Sequence, residues 1–329
     1  MRHANISIFV PHLGCPNKCS FCNQCHITGK VSQPYESDID RAVEEAVKSK
    51  NYSGKNTEIA FFGGSFTAID KDYMLSLLSA AYKYVENKTV KGIRISTRPD
   101  CINENVLITL KTYGVTAIEL GAQSMVDEVL KLNDRGHTAK DVIDASNLIK
   151  DHGFELGLQM MTGLYGDTDE GSIYTAQKLI GLMPETVRIY PTVVLKNTRL
   201  ENLFLQGQYK PQSVEEAANL CCSLVDMFEE KGVNVIRLGL HTIDTDSYVA
   251  GPWHSAFGEV CQSAKYLKLI MNRLDKKGAY NVFVKDTEIS KAVGQSKSNI
   301  KKLKSLGYDI KIFGDKNLKN YEIKVREVE

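Results

Sequence analysis

Short β-branched runs recur along the chain, each followed by a stretch of roughly ten to fifteen residues whose apolar positions return with helical spacing. The runs predict strands near 6–10, 57–62, 92–96, 116–120, 155–160, 187–190 and 234–240. Between them the helical spacing falls near 38–49, 70–86, 103–113, 138–151, 169–182 and 213–230. Repeated strand–helix units of this kind build a parallel sheet, and six or seven of them imply an α/β fold, a partial (βα)6-type TIM barrel. The reactive groups of such a barrel collect at the carboxyl ends of its strands.

The rhythm changes after about residue 250. A long helix near 257–277 leads to a strand near 279–284, two short helices, and strands near 308–313 and 320–326. This reads as a small α+β unit, so the chain divides into a barrel over 1–250 and a C-terminal domain over 251–329. Neither a fixed-period repeat nor a low-complexity linker separates the two, which implies that they pack together.

A length of 329 residues accommodates a barrel of about 250 and a small appendage. With 43% hydrophobic and 25% charged residues, the chain can bury a sizeable core and lacks the composition of a disordered protein. The apolar run Ile6 to Val10 is too short for a signal-peptide core. No stretch of about 18 apolar residues marks a membrane span. The expected location is the cytoplasm, with no membrane partner. The net charge of +1 conceals a lysine-rich end, where Lys297, Lys301, Lys302 and Lys304 fall close together. Taken alone, such a cluster is a solvated helix face.

Four of the eight cysteines, Cys15, Cys19, Cys22 and Cys25, crowd into one loop after the first strand. In a large chain without a secretion signal this density points to metal binding rather than disulfides. Three thiolates in one loop can hold three irons of a [4Fe-4S] cube, leaving the fourth iron open to another ligand. Inclusion of Cys25 would instead give a closed four-thiolate site for zinc or a cluster. Cys101, Cys221, Cys222 and Cys261 are scattered and read as small apolar residues.

The run Cys15-Pro-Asn-Lys-Cys19-Ser-Phe21-Cys22-Asn23, placed after the first strand of a βα series, resembles the signature of the radical S-adenosylmethionine (SAM) superfamily. The resemblance implies a cluster on Cys15, Cys19 and Cys22, with SAM chelated by the free iron. One electron then cleaves SAM to methionine and a 5'-deoxyadenosyl radical. It also implies that Phe21 and Asn23 lie near the adenine and that Gly63 and Gly64 approach the methionine amino group. Ser65 stands where the commoner family form has glutamate. Glu119, Gln123 and Ser124 fall to the SAM ribose and carboxylate, and Met160 and Met161 to the loop along the adenine.

Together with Thr97-Arg98-Pro99-Asp100 and Arg135-Gly136-His137-Thr138, these blocks resemble the radical SAM region of the Elongator catalytic subunit and its bacterial relatives over about residues 5 to 260. The acetyltransferase domain of that family is not expected in a chain ending at Glu329. Arg98, Asp100, Arg135 and His137 are the candidate catalytic residues, with Tyr190 and His254 as further substrate-side groups. In the C-terminal domain, Gly294-Gln-Ser-Lys297 joins two short helices in the order found in KH domains, although Lys297 occupies the place of the second glycine. The KH resemblance implies RNA contacts by Gly294, Lys297, Asn299, Lys301 and Lys302.

The expected function is therefore modification of RNA, tRNA or ribosomal, by a radical SAM enzyme served by a donor such as ferredoxin or flavodoxin. Two rivals are a radical SAM enzyme for a small molecule or peptide, and a non-enzymatic metal-binding RNA protein.

Overall fold

The computed structural model describes residues 3–11, 19–23, 33–240 and 245–328. In chain order it comprises β1 (Ala4–Val10), α1 (Glu36–Val47), β2 (Thr57–Gly63), α2 (Lys71–Glu86), β3 (Gly92–Thr97), α3 (Glu104–Thr112), β4 (Val115–Gln123), α4 (Asp127–Leu132), α5 (Ala139–Asp151) and β5 (Glu155–Thr162). There follow α6 (Asp169–Gly181), β6 (Thr186–Pro191), β7 (Val194–Leu195), α7 (Arg199–Leu205), α8 (Val214–Glu230), β8 (Asn234–Leu238), β9 (Tyr248–Ala250) and α9 (Phe257–Met271). The last elements are β10 (Gly278–Val284), α10 (Ile289–Val293), α11 (Ser298–Ser305), β11 (Tyr308–Gly314) and β12 (Ile323–Glu327).

Seven strands form one sheet in the order β1-β2-β3-β4-β5-β6-β8, every neighbouring pair parallel. Sequence order is preserved across the sheet, as expected of an α/β barrel left open between its first and last strands. The outer faces of the strands and the inner faces of the helices share one core, which includes Ile6, Ile59, Ile93, Ile118, Leu156 and Val187. The small strands β7 and β9 pair antiparallel above the sheet.

Strand alternation turns the other set of side chains into the barrel, and low in the barrel these are charged rather than apolar. Arg94 Nε donates to Glu58 Oε2 at 2.8 Å and Arg94 Nη2 to Glu155 Oε1 at 2.6 Å. Arg188 grips Glu119 with two bonds of 2.6 and 2.9 Å, and its guanidinium carbon lies 4.8 Å from the centre of the Phe62 ring. Glu58, Arg94 and Glu119 are each at most 1% exposed. Ions so deeply buried persist only when paired. The network plugs the lower barrel and leaves the carboxyl ends of the strands free to line a cavity.

The C-terminal unit has a three-stranded sheet in the order β11-β10-β12, with β10 parallel to β11 and antiparallel to β12. Tyr280, Val282, Val284, Ile310 and Ile323 face a second core made with α9, Ala292 and Leu303. Helix α9 joins the two parts, since Phe257 and Cys261 belong to the barrel core while Tyr266 and Ile270 belong to the small one. It is shorter than its apolar pattern suggested, stopping at Met271 before the mostly polar segment Asn272 to Gly278. Among the described residues no helix is long and apolar enough to cross a membrane.

Candidate functional site

A cavity opens at the carboxyl ends of the strands. Its floor carries Ser96, Gly121, Gln159 and Tyr190, which continue the inward-facing rows of the charged plug towards the carboxyl ends of the strands. Cys19 and Cys22 line one side, facing Gly63 and Gly64 at the end of β2, while Phe21, Met161, Val193, Leu195 and Leu240 form an apolar wall suited to a flat ring. Cys15 and Cys25 lie outside the described residues. Among those described, no three His, Cys, Asp or Glu side chains converge as a metal site.

Local sequence explains how the described cysteines are held. The Cys22 amide donates to the Cys19 carbonyl at 3.1 Å, closing a turn that brings both residues to the cavity. Ser20 between them is buried and donates from Oγ to Asn133 Oδ1 at 2.6 Å and from its amide to the Asn133 carbonyl at 3.1 Å. Asn133, fully buried after α4, in turn donates to the Val129 and Tyr165 carbonyls. The cysteine turn is thus clamped to loops that follow β4 and β5. Sequence reading missed Asn133 altogether.

Gly63 lies at φ +118°, and a Cβ there would sit 2.5 Å from both the Phe9 ring and the Val10 carbonyl. Only glycine fits this close crossing of β1 and β2. Its neighbour Gly64 donates from its amide to the Val10 carbonyl at 2.9 Å. The Ser65 hydroxyl is 2.9 Å from Thr97 Oγ1 and accepts from the Arg98 amide at 3.1 Å. It thereby ties the ends of β2 and β3 together while still lining the cavity.

Arg98 makes a two-bond pair with Asp100 at 2.9 and 3.0 Å and also donates to the Arg135 carbonyl. Arg135 donates from Nη2 to the Gly121 carbonyl at 2.7 Å and from Nη1 to Cys19 Sγ at 3.1 Å. Among the described residues, Arg135 Nε and Gln123 Oε1 are buried without a hydrogen-bond partner. Both residues line the cavity. Orphaned buried groups of this kind call for a polar ligand, and the donor set of thiols, guanidinium and amide suits an iron–sulfur cluster beside an amino-acid head group.

Of the predicted residues, Phe21, Gly63, Gly64, Ser65, Gln123, Met161, Arg98 and Arg135 meet at this cavity. Asn23 lies beside it, its Nδ2 donating to the Lys196 carbonyl at 2.8 Å. Five others, Asp100 among them, sit apart from the cavity surface. Glu119 is committed to Arg188, Ser124 donates no contact to the cavity and instead accepts from the Val126 amide at 3.1 Å, and Met160 points into the barrel core. His137 is buried behind the lining, where Nε2 meets the Ala122 carbonyl at 3.2 Å. Burial, and after it the neighbouring Arg135 charge, pushes the His137 pKa down to about 4, so its ring is neutral. Asp100 serves the cavity through Arg98. Gln159, which opens the stretch expected along the adenine, lines the cavity too, as does Ser96, for which sequence reading offers no signal.

In the C-terminal unit Gly294 lies at φ +79°, where a Cβ would be 2.4 Å from Ser298 Oγ. Ser296 and Lys297 are left-handed as well. Lys297 and Lys301 are exposed, and Lys302 is exposed but pairs with Glu215 at 3.2 Å. Asn299 is buried, and its Nδ2 donates to the Ser263 and Ala292 carbonyls, so its amide anchors α11 to α9.

Residues 9–179 match the radical SAM superfamily, and residues 184–268 match the radical SAM C-terminal domain. An uncharacterised protein of Methanocaldococcus jannaschii is 28% identical over 282 residues, covering 81% of this chain and 84% of its own length. A tRNA uridine(34) acetyltransferase of Methanocaldococcus infernus is 28% identical over 253 residues, 65% of this chain, and the chain spans 47% of that relative. The archaeal Elp3 structure from Methanocaldococcus infernus superposes with a TM-score of 0.64 at 23% identity over 84% of this chain and 65% of that one. With a match across 9–179 and the same fold, the chain belongs to the radical SAM superfamily, whose members use a [4Fe-4S] cluster and SAM.

Proposed function

We infer that the protein is a radical SAM enzyme that modifies an RNA nucleotide, tRNA or ribosomal. The observation that carries the radical chemistry is the convergence of Cys19, Cys22, Gly63, Gly64, Gln123 and Arg135 on one cavity. Cys15, Cys19 and Cys22 would hold the cluster, and the chemistry supplied by cluster and SAM is one-electron cleavage of a sulfur–carbon bond to a carbon radical. Phe21 and Met161 offer the apolar wall for the adenine. Gly63 and Gly64 let the methionine end approach the backbone, and Gln123 offers its orphaned amide oxygen as an acceptor.

The remaining residues position and seal. Arg98, fixed by Asp100, braces the Arg135 loop, and the buried ion network fills the lower barrel beneath it. Tyr190 stands on the floor with a phenol pKa raised by burial, so it remains protonated and available as a hydrogen-bond donor. The RNA reading is supported by the likeness to tRNA uridine(34) acetyltransferase and by the lysines near the Gly294 loop. A ferredoxin- or flavodoxin-type donor would supply the electron.

Anaerobic reconstitution with iron and sulfide, followed by dithionite and SAM, tests the reading through release of 5'-deoxyadenosine. Product that rises with total cellular RNA is the expected result. Product indifferent to RNA would move the substrate to a small molecule or peptide, and no product from a fully loaded cluster would defeat the radical assignment.

A further inference from the structure

The sheet of the C-terminal unit has one face on its core and one face outward. Because Tyr280, Val282, Val284, Ile310 and Ile323 point inward, alternation puts Asn281, Phe283, Lys311, Phe313, Lys324 and Arg326 on the outer face. Strand register arranges them in two rows, Phe313–Phe283–Lys324 and Lys311–Asn281–Arg326. The two phenyl rings stack with centroids 5.5 Å apart and planes 28° from parallel. Phe313 is 42% exposed, and the Arg326 guanidinium carbon lies 5.1 Å from the Phe283 ring centre.

An outward aromatic pair on a sheet is costly in water unless something covers it. The surroundings say what kind of occupant fits. Lys311, Lys324 and Arg326 outnumber the one carboxylate in the same alternation, Asp309, although Lys324 is also 3.3 Å from Asp315. A second copy meeting this face about a two-fold axis would set cations against cations, and an apolar partner would leave them unpaired. A single-stranded nucleic acid satisfies both features at once, with bases on the rings and phosphates on the cations.

We propose that this outer sheet face is a binding platform for a single-stranded segment of RNA, in which an unpaired base stacks on Phe283 and Phe313 while Lys311, Lys324 and Arg326 meet flanking phosphates. The choice of RNA rests on the function inferred above. The surface is separate from the barrel cavity and from the Gly294 loop.

Fluorescence anisotropy of the full-length protein with a labelled 15-nucleotide mixed-sequence RNA tests the platform without cluster or SAM turnover. Phe283→Leu/Phe313→Leu, which keeps apolar volume and removes the rings, should weaken binding about tenfold. Lys311→Gln/Lys324→Gln should weaken it with a shallower salt dependence, by roughly 0.7 per charge in the log–log slope. Thermal unfolding of each variant, unchanged from the parent, shows that the fold survives; should the double leucine variant melt early, Phe313→Leu alone serves. Unchanged affinity in the folded variants would overturn the proposal, as would equal binding of an abasic strand of the same length or of the fully duplex RNA. RNA-dependent 5'-deoxyadenosine without binding at this face would sink the platform and spare the radical enzyme. Binding here without any SAM cleavage would do the reverse.

Discussion

Arg135 Nη1 lies 3.1 Å from Cys19 Sγ, so a guanidinium that never loses its charge donates to a thiol on the cavity wall. The arginine is 6% exposed and fixed from its other arm by the Gly121 carbonyl, which keeps the charge in a poorly screened site. With Cys19 as a cluster ligand, this contact stabilises the reduced, more negative cluster, since hydrogen bonds to the sulfurs raise the potential. Arg135→Met should still assemble a cluster but lower the equilibrium constant for its reduction at least tenfold, about 59 mV for one electron. An EPR-monitored redox titration with iron and sulfide content measured alongside checks this. An unmoved midpoint would assign Arg135 to loop anchoring alone.

The charged plug predicts a stability effect with no loss of buried volume. Glu119 is 1% exposed and carries both bonds from Arg188, with Arg94 Nη1 at 3.5 Å. Glu119→Gln is nearly isosteric but leaves two buried guanidinium groups short of a charge, a change that costs about 3–5 kcal/mol when one partner of a buried pair is removed. Urea unfolding should register that loss. A variant as stable as the parent would mean that solvent reaches the plug.

His137 gives a pH dependence with a definite sign. Burial first and the Arg135 charge second lower its folded pKa to about 4, against 6.5 for the free side chain. A depressed pKa means that the unfolded chain binds the proton more readily, so the stability from a neutral His137 is complete above 6.5. It is lost as pH falls through that window towards 4, by on the order of 3 kcal/mol. Carboxylates titrate nearby, so the comparison is between the parent and His137→Gln. Urea midpoints between pH 7 and pH 4 should fall more steeply for the parent, and parallel curves would contradict the assignment.

Much of the barrel was legible because parallel strands buried on both faces read as apolar runs, and β2, β3, β5 and β6 lie close to where their runs predicted. The outcome was less good where one face is polar. Strand β4 continues to Gln123, beyond the run near 116–120 that predicted it, and that extension carries two cavity residues, Gly121 and Gln123. Alternation also separates Met161, which lines the cavity, from Met160, which does not. Glu119 stood in the right strand for a ligand contact, yet its partner Arg188 is 69 residues away and no local pattern announces the pair. Asn133 is hidden for the same reason, acting on Ser20 across 113 residues. The strands β7 and β9, two and three residues long, are too short to leave a periodic signal.

Gln123 ends β4 at φ +65°, a left-handed conformation that a side chain makes unfavourable by about 1–2 kcal/mol. Strain of this kind persists where a particular side chain is needed, and here the amide oxygen is buried at the cavity with no partner among the described residues. Two substitutions separate the contributions. Gln123→Gly relieves the backbone and removes the amide, so urea unfolding should show equal or greater stability while SAM affinity drops about tenfold, the equivalent of roughly 1.4 kcal/mol. Gln123→Ala removes the amide but keeps the strain, so it should lose the same affinity without the gain in stability. Anaerobic equilibrium dialysis of SAM with the cluster-loaded variants supplies the affinities. A glycine variant that binds SAM as tightly as the parent would show that the strained residue serves the turn after β4 and not the ligand.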